Sequence, residues 1–232
     1  MPPIDPTPTA FEFPPVDEWA LDDLVGVGAD LAPGTILEAY RRGLFPMPLE
    51  DGALGWWSPI DRAVLPFTRL RISRSLARSC RRFTVSVDAD AAAVIEGCAD
   101  PNRPHGWITE EMAQAYLDLH RLGWVHSFEV WDHEAELVGG LYGVAIGGLF
   151  CGESMFHRVA DASKVALVHL VSLLSERGGR MLDIQWLTPH LASLGAEKIG
   201  RQAYQTRLPE ALAGPDPFEG LDDRSAEPEA PA

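Results

Sequence analysis

The sequence predicts an α+β fold with an antiparallel-rich sheet, and three observations carry that prediction. Three apolar runs follow one another, VHSFEVW (125–131), ELVGGLYGVAI (136–146) and LFCGESMF (149–156). The polar turn DHEA and the pair Gly147-Gly148 separate them, which is the signature of consecutive hairpins in a meander. A long helical pattern then begins at Asp161 or Ser163, with Val165, Val168, Leu170, Leu173 and Leu174 apolar, and ends at Gly178-Gly179. Beyond it lies a further apolar run, RMLDIQW (180–186), reached through that helix as a crossover.

The remaining elements follow in chain order. Residues 1–16 are Pro-rich and read as extended. Pro33 to Arg42 reads as a helix, with Pro33 near its start and Gly43 as its stop. The aromatic, Pro- and Gly-rich segment LFPMPLEDGALGWWSPIDRAVLP reads as ordered loop or short strands. Past residue 67 the pattern becomes regular. Ser73–Arg81 is a helix, FTVSV (83–87) a strand and Asp90–Gly97 a helix. Thr109 caps a helix that places Met112, Tyr116 and Leu119 on one face and ends at Gly123. A short helix near 189–194 stops at Gly195. Three units follow: 1–67, 68–213, and an acidic, Pro-rich tail at 214–232 that reads as disordered.

Bulk composition narrows the class. With 232 residues, 46% of them hydrophobic, the chain can bury one large domain or two unequal ones. No apolar run approaches the roughly 18 residues of a transmembrane helix. The N-terminus lacks the basic and apolar regions of a signal peptide. Cys80, Cys98 and Cys151 fit neither a disulfide framework nor a zinc site, which predicts a reduced, cytoplasmic setting. The histidines show no metal spacing, and His126 reads as a core histidine. No P-loop or Rossmann fingerprint is present.

The net charge of −15 is unevenly spread. Residues 1–30 carry −7 and residues 210–232 carry −6, so the 179 residues between them carry only −2. Within that neutral body Arg69, Arg71, Arg74, Arg78, Arg81 and Arg82 lie close together with no acid among them. They form either a phosphate-binding patch or a solvated face, and charge alone leaves both readings open.

Candidate chemistry sits in the apolar strands. Glu153 lies in a glycine-rich strand pair, and Asp183 and Gln185 flank Ile184 in the last strand. Burying such groups costs several kcal/mol unless they are paired or hydrogen-bonded, so they mark a site or a salt bridge. In a regular strand Glu153 and Met155 share a face. Asp183 and Gln185 likewise share one and can hydrogen-bond each other. Gly139, Gly140 and Gly152 are not needed for hairpin turns and suggest close approach of a ligand. Of Trp56 and Trp57, one is expected in a core and the other in a surface contact.

These stretches together resemble leucyl/phenylalanyl-tRNA–protein transferases from about Phe13 to Leu212. The resemblance rests on FPPVDEWALDDLVGVGADLAPGTILEAYRRGLFPM, WWSPIDRAVLP, GWITEEMAQAYLDLHRLGWVHSFEVW, ELVGGLYGVAIGGLFCGESMF, ASKVAL, LDIQ and HLASLGA, in that order. It implies a small N-terminal domain and a C-terminal acetyltransferase-like (GNAT-like) α/β sandwich that carries the catalysis. It implies transfer of Leu or Phe, and Met more weakly, from aminoacyl-tRNA to proteins beginning with Arg or Lys, marking them for N-end-rule degradation. No metal and no coenzyme A are implied, and a monomer is expected. Asp183, Gln185 and Glu153 fall at the family's polar site positions, with Gln185 held by Asp183. The family's apolar aminoacyl pocket falls on Leu141, Phe150, Met155, Leu170 and Leu174, with Trp107 bordering it. The arginine cluster with Trp56 and Trp57 becomes the candidate tRNA contact. His157 stands where the family usually has a small Ser, and Leu170 and Leu174 stand where some relatives carry aromatics. Two other readings compete: an acetyl-CoA-dependent acetyltransferase and a non-catalytic tRNA or N-degron binding module. The segment FHRVADASK lacks the Gly-rich pyrophosphate loop the former needs.

Overall fold

The computed structural model describes residues 2–103 and 106–221. Its elements are β1 (Leu24–Val27), α1 (Pro33–Arg41), β2 (Phe45–Pro48), β3 (Leu54–Trp57), β4 (Asp61–Val64), α2 (Arg74–Cys80), β5 (Thr84–Val87), α3 (Ala91–Ala99), α4 (Glu110–Arg121), β6 (Val125–Trp131), β7 (Leu137–Ile146), β8 (Leu149–His157), α5 (Ala162–Glu176), β9 (Met181–Gln185), α6 (Pro189–Ser193), β10 (Glu197–Gly200) and α7 (Arg201–Leu212). A small sheet runs β1-β3-β2, and a seven-stranded sheet runs β10-β4-β9-β8-β7-β6-β5.

The expected meander is present: β6, β7 and β8 pair antiparallel in sequence. Helix α5 then crosses over to β9, which lies parallel to β8. Helices cover both faces of the sheet. One core takes Tyr40 of α1, Val94 of α3, Tyr116 of α4 and Tyr204 of α7. The other takes Leu76 of α2 and Val165, Leu170 and Leu174 of α5. The helix starts follow their local chemistry. Ser73, Asp90, Thr109 and Thr188 each accept a backbone N–H of the first turn, and Pro33 opens α1.

Three expectations change. Strand β4 lies ahead of residue 67 yet belongs to the large sheet, between β9 and β10. The large sheet therefore draws a strand from the segment assigned to the small unit. The tail is not disordered from residue 214: Phe218 is 5% exposed, stacks on His126 at 3.8 Å and packs in the α5-side core. Arg177 donates to the carbonyls of Pro217 and Glu219, fixing this segment to the end of α5. The rest of the tail lies outside the described residues. Finally, Gly139 and Gly140 reflect packing rather than ligand approach. A Cβ on Gly139 would come 2.6 Å from the Ala162 Cβ, and one on Gly140 would come 2.7 Å from the Phe128 carbonyl oxygen.

His126 is the core histidine expected, with Nδ1 2.6 Å from Asp88 Oδ2. Truncating the ring that covers it, by Phe218→Ala, is expected to cost about 3 kcal/mol, as for a buried aromatic. Urea unfolding checks this, and an unchanged midpoint would show that the segment after α7 adds nothing to the fold.

Candidate active site

The pairing of β8 with β9 stops at Cys151↔Asp183. Beyond that point the strands part, and a cavity of about 450 Å³ opens between them. Gly152, Glu153, Ser154 and Met155 line it from β8, and Leu182, Ile184 and Gln185 line it from β9. Leu141 and Tyr142 of β7, Leu167 and Leu170 of α5, Trp107, Trp186 and the Phe45–Met47 stretch of β2 complete most of the wall. Unlike Gly139 and Gly140, Gly152 is not crowded: a Cβ there would meet nothing nearer than the Asp183 carbonyl oxygen at 3.8 Å, an ordinary contact.

A β-bulge sets the direction of Glu153. Tyr142 pairs with Ser154 and Gly143 with Gly152, so Glu153 has no partner on β7. The alternation of β8 reverses across it. Cys151 belongs to the α4-side core, yet Met155 packs on the α5 side and Phe156 on the α4 side. Glu153 and Met155 therefore do not share a face as a regular strand predicts. Both line the cavity, Met155 with the apolar wall and Glu153 against α4.

The polar centre is a connected network. Arg62, 1% exposed, donates from Nε to Asp183 Oδ1 at 2.9 Å and from Nη2 to Oδ2 at 2.5 Å. Its Nη1 donates to the Gly43 carbonyl, and its guanidinium lies between the rings of Phe45 and Tyr204. Tyr204 donates to Asp183 Oδ2 at 2.8 Å. Asp183 Oδ1 also accepts the backbone N–H of Gln185 at 3.0 Å. Gln185 has a φ of 57°, a left-handed conformation unusual for this residue type, and that hydrogen bond supports it. The Gln185 amide then donates to Glu153 Oε1 at 2.9 Å. Glu153 Oε2 accepts from the Tyr116 hydroxyl at 2.9 Å, and the Tyr40 hydroxyl stands 3.1 Å behind.

The expected Asp183–Gln185 pair exists, but through the backbone. The Gln185 side chain is held by Glu153 instead, and Asp183, fully buried, does not line the cavity. Asp183 touches the cavity lining through the Gln185 backbone. Arg62, Tyr40, Tyr116 and Tyr204 were not assigned a role from the sequence. The one signal was Arg62 itself, a cation leading the apolar run AVLP.

Burial bears on the titration of Glu153 and of the tyrosines and cysteine around it. Burial pushes the Glu153 carboxyl up to about 7, with the Tyr40 and Tyr116 hydroxyls opposing the shift. Burial also pushes Tyr40, Tyr116, Tyr204 and Cys151 well above their ordinary values, so each remains a protonated donor. Burial works against the charge on Arg62, but Asp183 and Tyr204 beside it more than offset this.

Four of the six pocket candidates line the cavity: Leu141, Met155, Leu170 and Trp107. Phe150 and Leu174 do not. Both are fully buried in the α5-side core, because alternation on β8 and the helical turn of α5 point them away from the opening. Trp56, 2% exposed, is the core tryptophan: it packs on Phe13 and donates to the Gly28 carbonyl, so no nucleobase can stack on it. Trp57 is half-buried against Trp186. The arginines at 69, 71, 74, 78, 81 and 82 are all exposed. Arg69 pairs with Glu197, whereas Arg71, Arg74, Arg78, Arg81 and Arg82 have no carboxylate partner among the described residues.

The raised Glu153 value has a consequence for stability. The folded protein holds this proton more tightly than the unfolded chain, whose value is near 4.5. The stabilisation is fully present below about pH 4.5 and is lost as pH rises through about 7. Glu153→Gln removes this dependence. Wild type is expected to lose about 3 kcal/mol relative to the variant across that window. Urea unfolding of both proteins at several pH values checks it, and parallel curves would contradict it.

Residues 64–209 match the family model described as leucyl/phenylalanyl-tRNA protein transferase, and residues 29–60 match that family's N-terminal domain. A leucyl/phenylalanyl-tRNA–protein transferase of Aromatoleum aromaticum is 49% identical over 224 residues, covering 93% of this chain and 94% of that protein. One of Syntrophobacter fumaroxidans is 50% identical over 205 residues, covering 86% of this chain and 87% of that protein. One of Edwardsiella ictaluri is 48% identical over 199 residues, covering 84% and 82%. Among solved structures, L-PGS from Bacillus licheniformis superposes with a TM-score of 0.38 at 12% identity, over 65% of this chain and 51% of that one, too loosely to bear on the fold. The family-model matches over 29–60 and 64–209 and the curated relatives thus agree, and the chain belongs to the leucyl/phenylalanyl-tRNA–protein transferase family.

Proposed function

We propose that the protein transfers Leu or Phe, and Met more weakly, from aminoacyl-tRNA to the N-terminal Arg or Lys of acceptor proteins, marking them for degradation, and that it does so as a cytoplasmic monomer. The observation that carries this reading is the mostly apolar cavity with Gln185 and Glu153 in its wall. An unbranched or γ-branched aminoacyl side chain fits between Leu141, Met155, Leu167 and Leu170. The reacting ester then lies near the polar wall. The meander, the α5 crossover and the parting of β8 from β9 support an acetyltransferase-like description of the larger sheet. Among the described residues no helix is long and apolar enough to cross a membrane.

The chemistry asks little of a base. The acceptor nitrogen forms a bond to the ester carbonyl carbon, and the carbon–oxygen bond to the tRNA ribose breaks. The nitrogen loses one proton and the ribose oxygen gains one. An α-amine has a pKa of about 7.7–8.0, so roughly a tenth is already neutral at pH 7. Aminolysis of the activated ester runs downhill without ATP. Positioning therefore carries most of the rate. The Gln185 Nε2 is committed to Glu153, and its amide oxygen takes no hydrogen bond from protein among the described residues, so it can accept one from the amine. Glu153, titrating near neutrality in the same wall, can take up the released proton. Asp183 and Arg62 hold the backbone from which Gln185 projects.

The exposed arginines suit the tRNA backbone. Helix α2 packs on α5, whose Leu167 and Leu170 line the cavity, so the cluster sits on the cavity's own side of the sheet. The deficit of carboxylate partners leaves these guanidiniums available to phosphate.

Mixing the protein with radiolabelled Leu-tRNA and a peptide beginning with Arg, without ATP or acetyl-CoA, is expected to label the peptide. A peptide left unlabelled refutes the reading. Gln185→Ala should lower kcat/KM by roughly 10²-fold. Full activity in that variant would favour a binding module whose chemistry lies elsewhere. Reversing the charge of Arg71, Arg74, Arg78 and Arg81 together should weaken tRNA binding and flatten its salt dependence, by a slope of nearly one for each phosphate that is no longer neutralised. An unchanged slope would assign the cluster to a solvated face.

A further inference from the structure

Glu153 is held from two sides. Gln185 donates to one carboxylate oxygen at 2.9 Å, and Tyr116 donates to the other at 2.9 Å. The Tyr40 hydroxyl stands 3.1 Å from that of Tyr116, and both tyrosines are about 1% exposed. They come from α1 and α4, and neither lines the cavity. Phenylalanine would fill the same volume without two hydroxyls that need partners. Their hydroxyls have one polar destination, which is Glu153.

We propose that Tyr116, with Tyr40 behind it, is a positioning residue for the transfer reaction: it fixes one Glu153 oxygen away from the substrate and leaves the other to hold the Gln185 amide. The inference rests on the transfer reading above. The groups facing Glu153 are Tyr116 from α4, Tyr40 from α1, Tyr142 from β7, Cys151 from its own strand, Asp183 and Gln185 from β9, and Arg62 from β4. Asp183 and Arg62 are the charges in this set, and they are bonded to each other, so their fields at Glu153 largely cancel. What remains to favour the ionised carboxylate over the buried acid is hydrogen-bond donation. Tyr116 supplies one donor directly, and Tyr40 strengthens it by donating in turn. Without Tyr116, Glu153 keeps its proton to higher pH. A protonated Glu153 has less to offer the Gln185 amide, and Gln185 is released from the orientation that aligns the amine.

The test is Tyr116→Phe in the full chain. The pH dependence of kcat/KM is measured for Leu transfer to an Arg-initiated peptide, and each value is divided by that of wild type. The ratio cancels ionisation of the acceptor amine. The acidic limb is expected to move up by about one pH unit, with the deficit approaching 10-fold at low pH and closing at high pH. A ratio that stays constant with pH overturns the proposal, because a residue that only fills space would act equally at every pH. Tyr40→Phe should shift the limb in the same direction, and it serves if Tyr116→Phe folds poorly. Carbon-13 titration of the Glu153 carboxyl tests the proposal without any transfer: a midpoint that does not rise in either variant overturns it. A wild-type protein that transfers nothing, while its Glu153 midpoint rises in the variants, would instead remove the transfer reading and leave the tyrosine–carboxylate coupling standing.

Discussion

The buried Arg62–Asp183 pair is the interaction on which the site depends. It joins parts of the chain that are 121 residues apart in sequence, at the junction of β4, β9, α7 and the turn after α1. Gly43, Phe45 and Tyr204 enclose the guanidinium, and Tyr204, Cys151 and the Gln185 backbone surround the carboxylate. Neither charge reaches water. A pair of this kind adds little net stability over an apolar replacement, but removing one partner strands the other at a cost of about 3–5 kcal/mol. What it provides is placement. It fixes the end of β9, where the strand turns left-handed and sends the Gln185 side chain into the cavity.

From that point the site is a problem of geometry more than of reactivity. The sheet opens where β8 and β9 cease to pair, and the bulge at Glu153 turns its carboxylate toward the α4 tyrosine. One wall of the opening is apolar and one is polar. Asp183 is locked against a permanent cation, whereas Glu153 is held by neutral donors and titrates near neutrality. A proton can therefore move at Glu153 without disturbing the pair that holds the frame. This division suits the aminolysis of an ester by an amine that is already partly neutral.

Charge at the surface follows a different logic from charge in the interior. The chain is acidic overall, yet Arg71, Arg74, Arg78 and Arg81 in its exposed α2 region pair with no carboxylate among the described residues, beside Arg69, which pairs with Glu197. Global charge and local potential are separable because screening confines each patch to about a Debye length. Acid at the chain ends does not abolish a basic patch on the body. The segment after α7 illustrates the same separation. Its acidic composition reads as disorder, but Phe218 is enough to anchor it, since a buried aromatic outweighs the ordering of a few exposed residues.

The sequence by itself determined the meander, the crossover helix and the starts of α1 to α4, because hydrophobic period, turn glycines and caps are local signals; helix α7 was not read from it. It also singled out Glu153, Asp183 and Gln185, since carboxylates and amides in apolar strands are costly without a purpose. The strands β1, β2, β3, β4 and β10 were not read individually, since each has four residues, too few to show a period. Only the tertiary structure decided who holds whom. Asp183 pairs with Arg62 rather than with the Gln185 amide, and Glu153 turns to Tyr116 rather than lying beside Met155. Phe150, Leu174 and Trp56 fill cores rather than the cavity or a nucleobase contact. The physical reason is that a bulge, a left-handed turn and a long-range ion pair each redirect a side chain. None of the three is written in residue spacing.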